Sequence, residues 1–275
     1  MFFIFDSKKP LAMNIIIRAV FLISLGSSIL SAQDFQGIAT YKTKDKIEIE
    51  LDSTQAGGMQ DEIMAMLQKQ FEKTYVLSFD QEQSVYKEDE ELATPSLGSD
   101  MIIMSSSGTD ILYKNIKDER YTKQSDFLGK IFLIQDTLQK IDWKLHSDTK
   151  NIGKYTCFKA TAEQLIKVNP YSDEPAKKSK TITAWYAPQI PISNGPGAFQ
   201  GLPGLILELN YDSKVILCSK VTLNPKKPIT ILSPKKGKPI SQSKYDQIVE
   251  KKIKEMSFQQ DGKGNSISIE IESID

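Results

Sequence analysis

The chain has 275 residues, 40% apolar and 25% charged, the composition of an ordinary globular protein with room for one large or two small domains. Its 35 basic and 35 acidic side chains balance, and without a basic face nothing favours nucleic acid as a partner. One histidine and two cysteines are too few for a zinc or histidine-rich metal site, so neither a metal nor a cofactor is expected.

The N-terminus departs from this average. Met13 to Ala32, "MNIIIRAVFLISLGSSILSA", places Arg18 before a short apolar run from Ala19 to Leu30 and ends on Ser31-Ala32. That is the layout of a secretory signal peptide. The apolar run is shorter than the roughly 20 residues a membrane span needs. No cysteine follows it closely, which argues against a lipoprotein anchor. Residues 1–32 are therefore expected to be an extension plus signal, and 33–275 a single exported domain with no transmembrane span. Cleavage near Ala32 would deliver it to the periplasm or outside the cell.

Beyond the signal, "GIATYKTKDKIEIELD" alternates, with Ile47, Ile49 and Leu51 opposite Lys46, Glu48 and Glu50, as in a half-buried strand. Met59, Ile63, Met66, Leu67 and Phe71 recur at three and four, the period of an amphipathic helix. Short strand-like runs come next: "TYVLSFD", "SVYKED", "MIIMSSS", "DILYKNIKDERYTKQSD", "GKIFLIQDTL", "DWKLHSDTK", "GKYTCFKATA", "TITAWYAP", "GLILELNYD" and "KVILCSKVTL". Turn residues divide them at nearly regular intervals, which predicts an antiparallel sheet, sandwich or barrel. Asn224 to Pro239 carries five lysines and four prolines and reads as a solvated loop. Tyr245, Ile248, Val249, Ile253 and Met256 form a second helical face, with Ser243 and Asp246 placed like a capping box. "NSISIEIESID" closes the chain with Ile267, Ile269 and Ile271 alternating. The expected fold is mainly β (α+β): a curved antiparallel sheet or half-open barrel with two amphipathic helices packed on it.

"GPGAFQGLPGLILELN", residues 195–210, is the most distinctive stretch. Gly195, Gly197 and Gly201 give GxGxxxG, one residue longer than the dinucleotide fingerprint, and no helix follows. The Lys-Ser/Thr of a P-loop and the serine of a nucleophile elbow are also missing. Leu202-Pro203-Gly204-Leu205 has the sequence of a type II turn. From it, Leu205, Leu207 and Leu209 should point one way, and Ile206, Glu208 and Asn210 the other.

Gly201-Leu202-Pro203-Gly204-Leu205-Ile206 resembles the motif that names the GLPGLI family of exported Bacteroidetes proteins. The resemblance extends through "ITAWYAPQIPISNGPGAFQ", "LIQDTLQKIDWKL" and "IGKYTCFKATA", and to the helix near Tyr245. It implies an exported, β-rich envelope protein of unestablished role, and it carries no catalytic residue over to these positions.

No set of residues announces an enzyme. His146 alternates out of line with Trp143 and Leu145 and reads as solvated. Carboxylates are plentiful, so a glycosidase-like pair stays open, and Glu208 stands out because it interrupts an apolar strand. Trp143, Trp185 and Tyr186 are the aromatic candidates for gripping a sugar or a lipid. Cys157 and Cys218 sit in strand-like runs. In an exported chain they are candidates for a disulfide, if neighbouring strands bring them together, or are two buried thiols. The reading placed first is a non-catalytic binding module for a lipid, peptide or glycan. A partner subunit of an outer-membrane assembly comes second, and a carboxylate hydrolase third.

Overall fold

The computed structural model describes residues 35–45, 72–89, 110–168, 176–211 and 214–260. The chain divides into a segment Met1–Phe35 and a unit Gln36–Asp275, and the second holds every strand and helix named below. Its strands are β1 (Gly37–Asp45), β2 (Lys73–Phe79), β3 (Gln83–Glu88), β4 (Ile111–Asn115), β5 (Arg120–Phe127) and β6 (Lys130–Thr137). The later strands are β7 (Lys144–Ile152), β8 (Tyr155–Val168), β9 (Ala176–Ala187), β10 (Leu205–Tyr211), β11 (Lys214–Leu223) and β12 (Lys238–Ile240), followed by helix α1 (Gln242–Gln260).

Local chemistry sets the hairpins. Between β2 and β3, the Asp80 carboxylate accepts from the Glu82 and Gln83 amides, an Asx-type turn. Between β5 and β6, Leu128 and Gly129 both have positive φ, 54° and 74°, as a two-residue hairpin turn that follows the strand twist requires. Gly153, at φ 56°, serves the β7–β8 turn in the same way.

All twelve strands form one sheet, in the order β12-β6-β5-β4-β3-β2-β1-β11-β10-β9-β8-β7. Two meanders, β2 to β6 and β7 to β11, are joined by β1, which pairs antiparallel with both β2 and β11. One face carries the core: Tyr41, Leu77, Phe79, Tyr86, Ile182, Ala184, Tyr186 and Leu209 are all buried. Tyr41 donates to the Ile206 carbonyl at 2.7 Å and meets the Tyr86 ring edge-on at 6.3 Å. Burial pushes the phenols of Tyr41 and Tyr86 well above the usual tyrosine range.

The sheet is curved. β4 and β10 are five strand steps apart in the order, about 24 Å if the sheet were flat. Yet Lys114 of β4 hydrogen-bonds the segment between β9 and β10. The core face is thus concave, and the β9–β10 connection lies across it.

Mainly β with a curved open sheet matches the expectation. One helix lies among the described residues, not two; the helix expected around Met59 to Phe71 falls outside them, as do the alternating runs at Ile47 to Leu51 and Ile267 to Ile271. The expected capping box shifts as well. Ser241, not Ser243, caps α1, its hydroxyl accepting from the Lys244 amide. The helix start is then fixed by Asp136 of β6, whose carboxylate accepts from the Gln242 amide at 3.0 Å. The bond from the Thr137 amide, together with that from Gln242, holds its carboxyl below the usual range. Tyr245 packs edge-on against Phe132 and Phe127. No helix among the described residues is long and apolar enough to cross a membrane.

Candidate functional site

The segment 188–204 is irregular yet densely bonded. β9 ends before Pro188, which has no N–H to continue the ladder. The Leu205 amide then donates to the Ile190 carbonyl and the Ile206 amide to the Asn194 carbonyl, so the loop pairs with the first residues of β10. Asn194 bridges to Gln200, and the Gly201 amide donates to the Ser193 hydroxyl. Ile190, Ile192, Phe199 and Leu202 are buried beneath it.

The turn itself differs from expectation. The Gly204 amide donates to the Leu202 carbonyl at 2.8 Å, while the Leu205 amide goes to Ile190. This is a three-residue turn centred on Pro203, not a type II turn. The clean alternation after it is also broken. A bulge between Ile206 and Glu208 shifts the register against β9, so Leu205, Ile206, Leu207 and Leu209 are all buried.

Sequence reasoning missed the residue that anchors this loop. Lys114 is fully buried. Its Nζ donates to the carbonyls of Gly195 at 3.0 Å, Gly197 at 2.7 Å and Phe199 at 3.3 Å. Three donors meet three acceptors, so the ammonium is satisfied without a counter-ion. Burial pushes its pKa down to about 7. In sequence, Lys114 is only one polar letter in "ILYKN", and nothing there links it to a loop some eighty residues away.

The aromatic candidates separate. Trp143, just before β7, donates its indole N–H to the Gln200 carbonyl at 2.7 Å and lies against Gly201. Around it opens a shallow groove of ≈ 390 Å³, lined by Ile141, Trp143, Leu145, Leu202 and Pro203 and flanked by Lys140, Asp142 and Lys144. Leu145 is 54% exposed, a large apolar side chain left in water beside an indole. Tyr186, by contrast, is buried in the concave core against Phe158. Trp185 and Glu208 pair across β9 and β10 on the convex face. There Lys150 bonds Glu208 at 2.7 Å and lies over the Trp185 ring at 4.4 Å, and Asn210 donates to the other carboxylate oxygen of Glu208. The Trp185 face is thus already covered by a cation. His146 is half-buried and bonds Thr161 at 2.8 Å, where the sequence suggests a solvated ring.

The two cysteines are free thiols, and the disulfide considered from sequence is not formed. Cys157 shares a face with Lys159, which pairs with Trp185, then Glu208, then Leu217. Cys218, the residue after Leu217, stands opposite Tyr41 on the other face. A sheet therefore separates the two sulfurs, whereas a disulfide needs Cα atoms within about 7 Å and converging side chains. Burial pushes the thiols up to about 11 and about 12. Alkylation of the native protein at pH 8 should therefore be slow at both positions and complete only after denaturation, because the thiolate is the reacting species. Fast labelling of either cysteine in the native state would contradict this.

Comparison with known proteins reaches the same region. The family model Porph_ging, described as a protein of unknown function, matches residues 143–208. The matched stretch begins at Trp143 and ends at Glu208, so it takes in Trp143 and the far wall of the groove, the loop, and Lys150, Trp185 and Glu208 of the convex cluster. No curated protein matches the chain. Two solved structures titled "Structure of PNGF-II", in the C2 and P21 space groups, are similar to it at 15% identity, with TM-scores of 0.49 and 0.47. They cover 78% of this chain and 32% and 33% of their own. The chain thus spans about a third of the length of these solved chains.

Proposed function

We propose that the chain is an exported envelope protein of the GLPGLI family, acting as a non-catalytic module that binds an extended peptide segment of a partner at the Trp143–Pro203 groove. The single observation that supports this is the position of the groove. It lies at the start of β7, the last strand in the sheet order, where the outer ladder has no neighbour among the described residues. A strand edge invites another extended backbone, and an adjoining apolar recess takes one of its side chains. Further along β7, the register shift between Leu145 and Thr149 and the lysines blunt the edge, a common protection against indiscriminate pairing. The opening for a partner is therefore local. Lys140 and Lys144 outnumber Asp142 beside the apolar floor, a balance that favours an acidic segment. A lipid held in the concave face loses its support, because the loop and Lys114 occupy that face.

The test uses synthetic octapeptides that alternate valine with aspartate, and valine–lysine octapeptides as the comparison. Titration of the full exported chain should show binding of the acidic series only. Trp143→Ala and Leu145→Asp should each weaken it at least tenfold, about 1.4 kcal/mol. Equal binding of both series, or binding indifferent to both substitutions, would overturn the reading. The mass of the exported chain should also correspond to a start at Gln33.

A further inference from the structure

We propose that Lys114 is a proton-controlled latch, its protonation deciding how firmly the loop 195–199 is held over the concave face. The number of donors makes it one. An ammonium has three N–H bonds, and here three carbonyls accept them. A neutral amine has two N–H bonds and a lone pair, so one carbonyl would lose its donor and face a lone pair instead. That carbonyl is buried, and a buried acceptor without a partner is costly. The loop then relaxes at its weakest bond, the 3.3 Å contact to Phe199.

The surroundings leave the amine to respond alone. Its register partners are Ser84 on β3 and Tyr121 on β5, and Tyr86 shares the same face. The loop presents only carbonyls. Burial is the cause of the lowered affinity for the proton, with no carboxylate, arginine or second lysine contributing among the described residues. Ser84 Oγ, on the register neighbour of Lys114, is itself buried without a hydrogen-bond partner. Loosening at Phe199 passes to Gln200, whose carbonyl holds the Trp143 indole. The latch thus reaches the edge of the groove, whatever the groove binds.

The indole is also the reporter. Trp143 and Trp185 are the two tryptophans of the chain, so a Trp185→Phe background isolates the first. Adding His146→Gln removes the one histidine of the chain. In this background the Trp143 emission should shift to the red through a one-proton transition near pH 7. Lys114→Arg, which stays charged, should hold it at the low-pH value, and Lys114→Met at the high-pH value. A flat emission between pH 5.5 and 9, or the same transition in Lys114→Met, would overturn the latch. Should the substituted chains fail to fold, hydrogen exchange on the unmodified protein decides. Corrected for intrinsic base catalysis, protection of the Gly201 and Ile206 amides should fall about tenfold from pH 6 to 9, while that of β8 and β9 stays level. Equal protection throughout would sink the proposal. Peptide binding at the groove that persists alongside a flat emission would remove the latch alone.

Discussion

Lys114→Met should lower the melting temperature of the protein by roughly 6–12 °C, about 3 kcal/mol for a unit of this size. Two effects oppose each other. Removing the ammonium relieves the cost of holding a charge away from water, which is several kcal/mol. It also leaves the carbonyls of Gly195, Gly197 and Phe199 without their donor, at about 1–3 kcal/mol each. Removing one partner of a buried polar set is the unfavourable case, because the others stay behind unpaired. The loss should therefore exceed the relief. Thermal unfolding at pH 6 measures it, and a melting temperature unchanged within 2 °C would contradict it.

The same residue gives the protein a slope with pH. The folded pKa is near 7, below the unfolded value of about 10.4. Between these values the unfolded chain holds the proton and the folded chain does not. Stability therefore rises with pH across this window, by up to about 1.4 kcal/mol per unit. Below pH 7 both states are protonated and the contribution is constant. Global stability rises even as the local latch loosens, because the unfolded reference keeps its proton. The difference between the parent and Lys114→Met, followed by denaturant unfolding from pH 7.5 to 9.5, isolates the effect, because the tyrosines and cysteines that ionise toward the upper end are common to both proteins. A difference that does not change over that interval would contradict it.

Gly204→Val is the second large effect, expected at about 3–5 kcal/mol and poor recovery of folded protein. A Cβ at Gly204 would stand 2.4 Å from the Ala187 carbonyl oxygen, 2.7 Å from its carbon and 2.8 Å from the Pro188 nitrogen. All three are backbone atoms, so no side chain can swing away to make room. The φ of 154° adds conformational strain of about 1–3 kcal/mol. Overpacking adds a similar amount. Gly201→Ala is the comparison. Its φ of 94° is also positive, but the nearest atoms, of Trp143, lie 3.6 Å away, an ordinary contact. It should cost only about 1–2 kcal/mol, from strain alone. Equal melting temperatures for Gly204→Val and Gly201→Ala would show that the Ala187 contact does not govern this site.

These residues also show where the sequence is informative and where it is not. Leu202, the first residue of the turn expected from sequence, is 1% exposed. The glycine of the LPG turn is required, but for a different reason than the motif suggests. Local rules point to a type II turn, and tertiary pairing of Leu205 with Ile190 replaces it with a tighter one. Glu208 stands out in the sequence because it interrupts apolar residues. The bulge at Ile206–Glu208 and the lysine of β7 explain it, and neither is local to β10. Trp143, a candidate because it is aromatic, does line the open groove. Tyr186, a candidate on the same ground, is core, since period-two alternation separates it from Trp185 but does not say which face is covered.

By itself, then, the sequence determined the mainly β class and most of the strands among the described residues, because alternation and turn residues act within a few positions of one another; it read Lys238 and Pro239 of β12 as loop and placed the cap of α1 at Ser243 instead of Ser241. Tertiary structure alone decided that β1 joins two meanders, that the sheet curves, and that a lysine from β4 closes over a loop far along the chain. It also decided that the two cysteines lie on opposite faces. The reason is physical: pairing partners and buried donors are chosen by what folding brings into contact, and a contact between distant residues leaves no periodic trace in the chain.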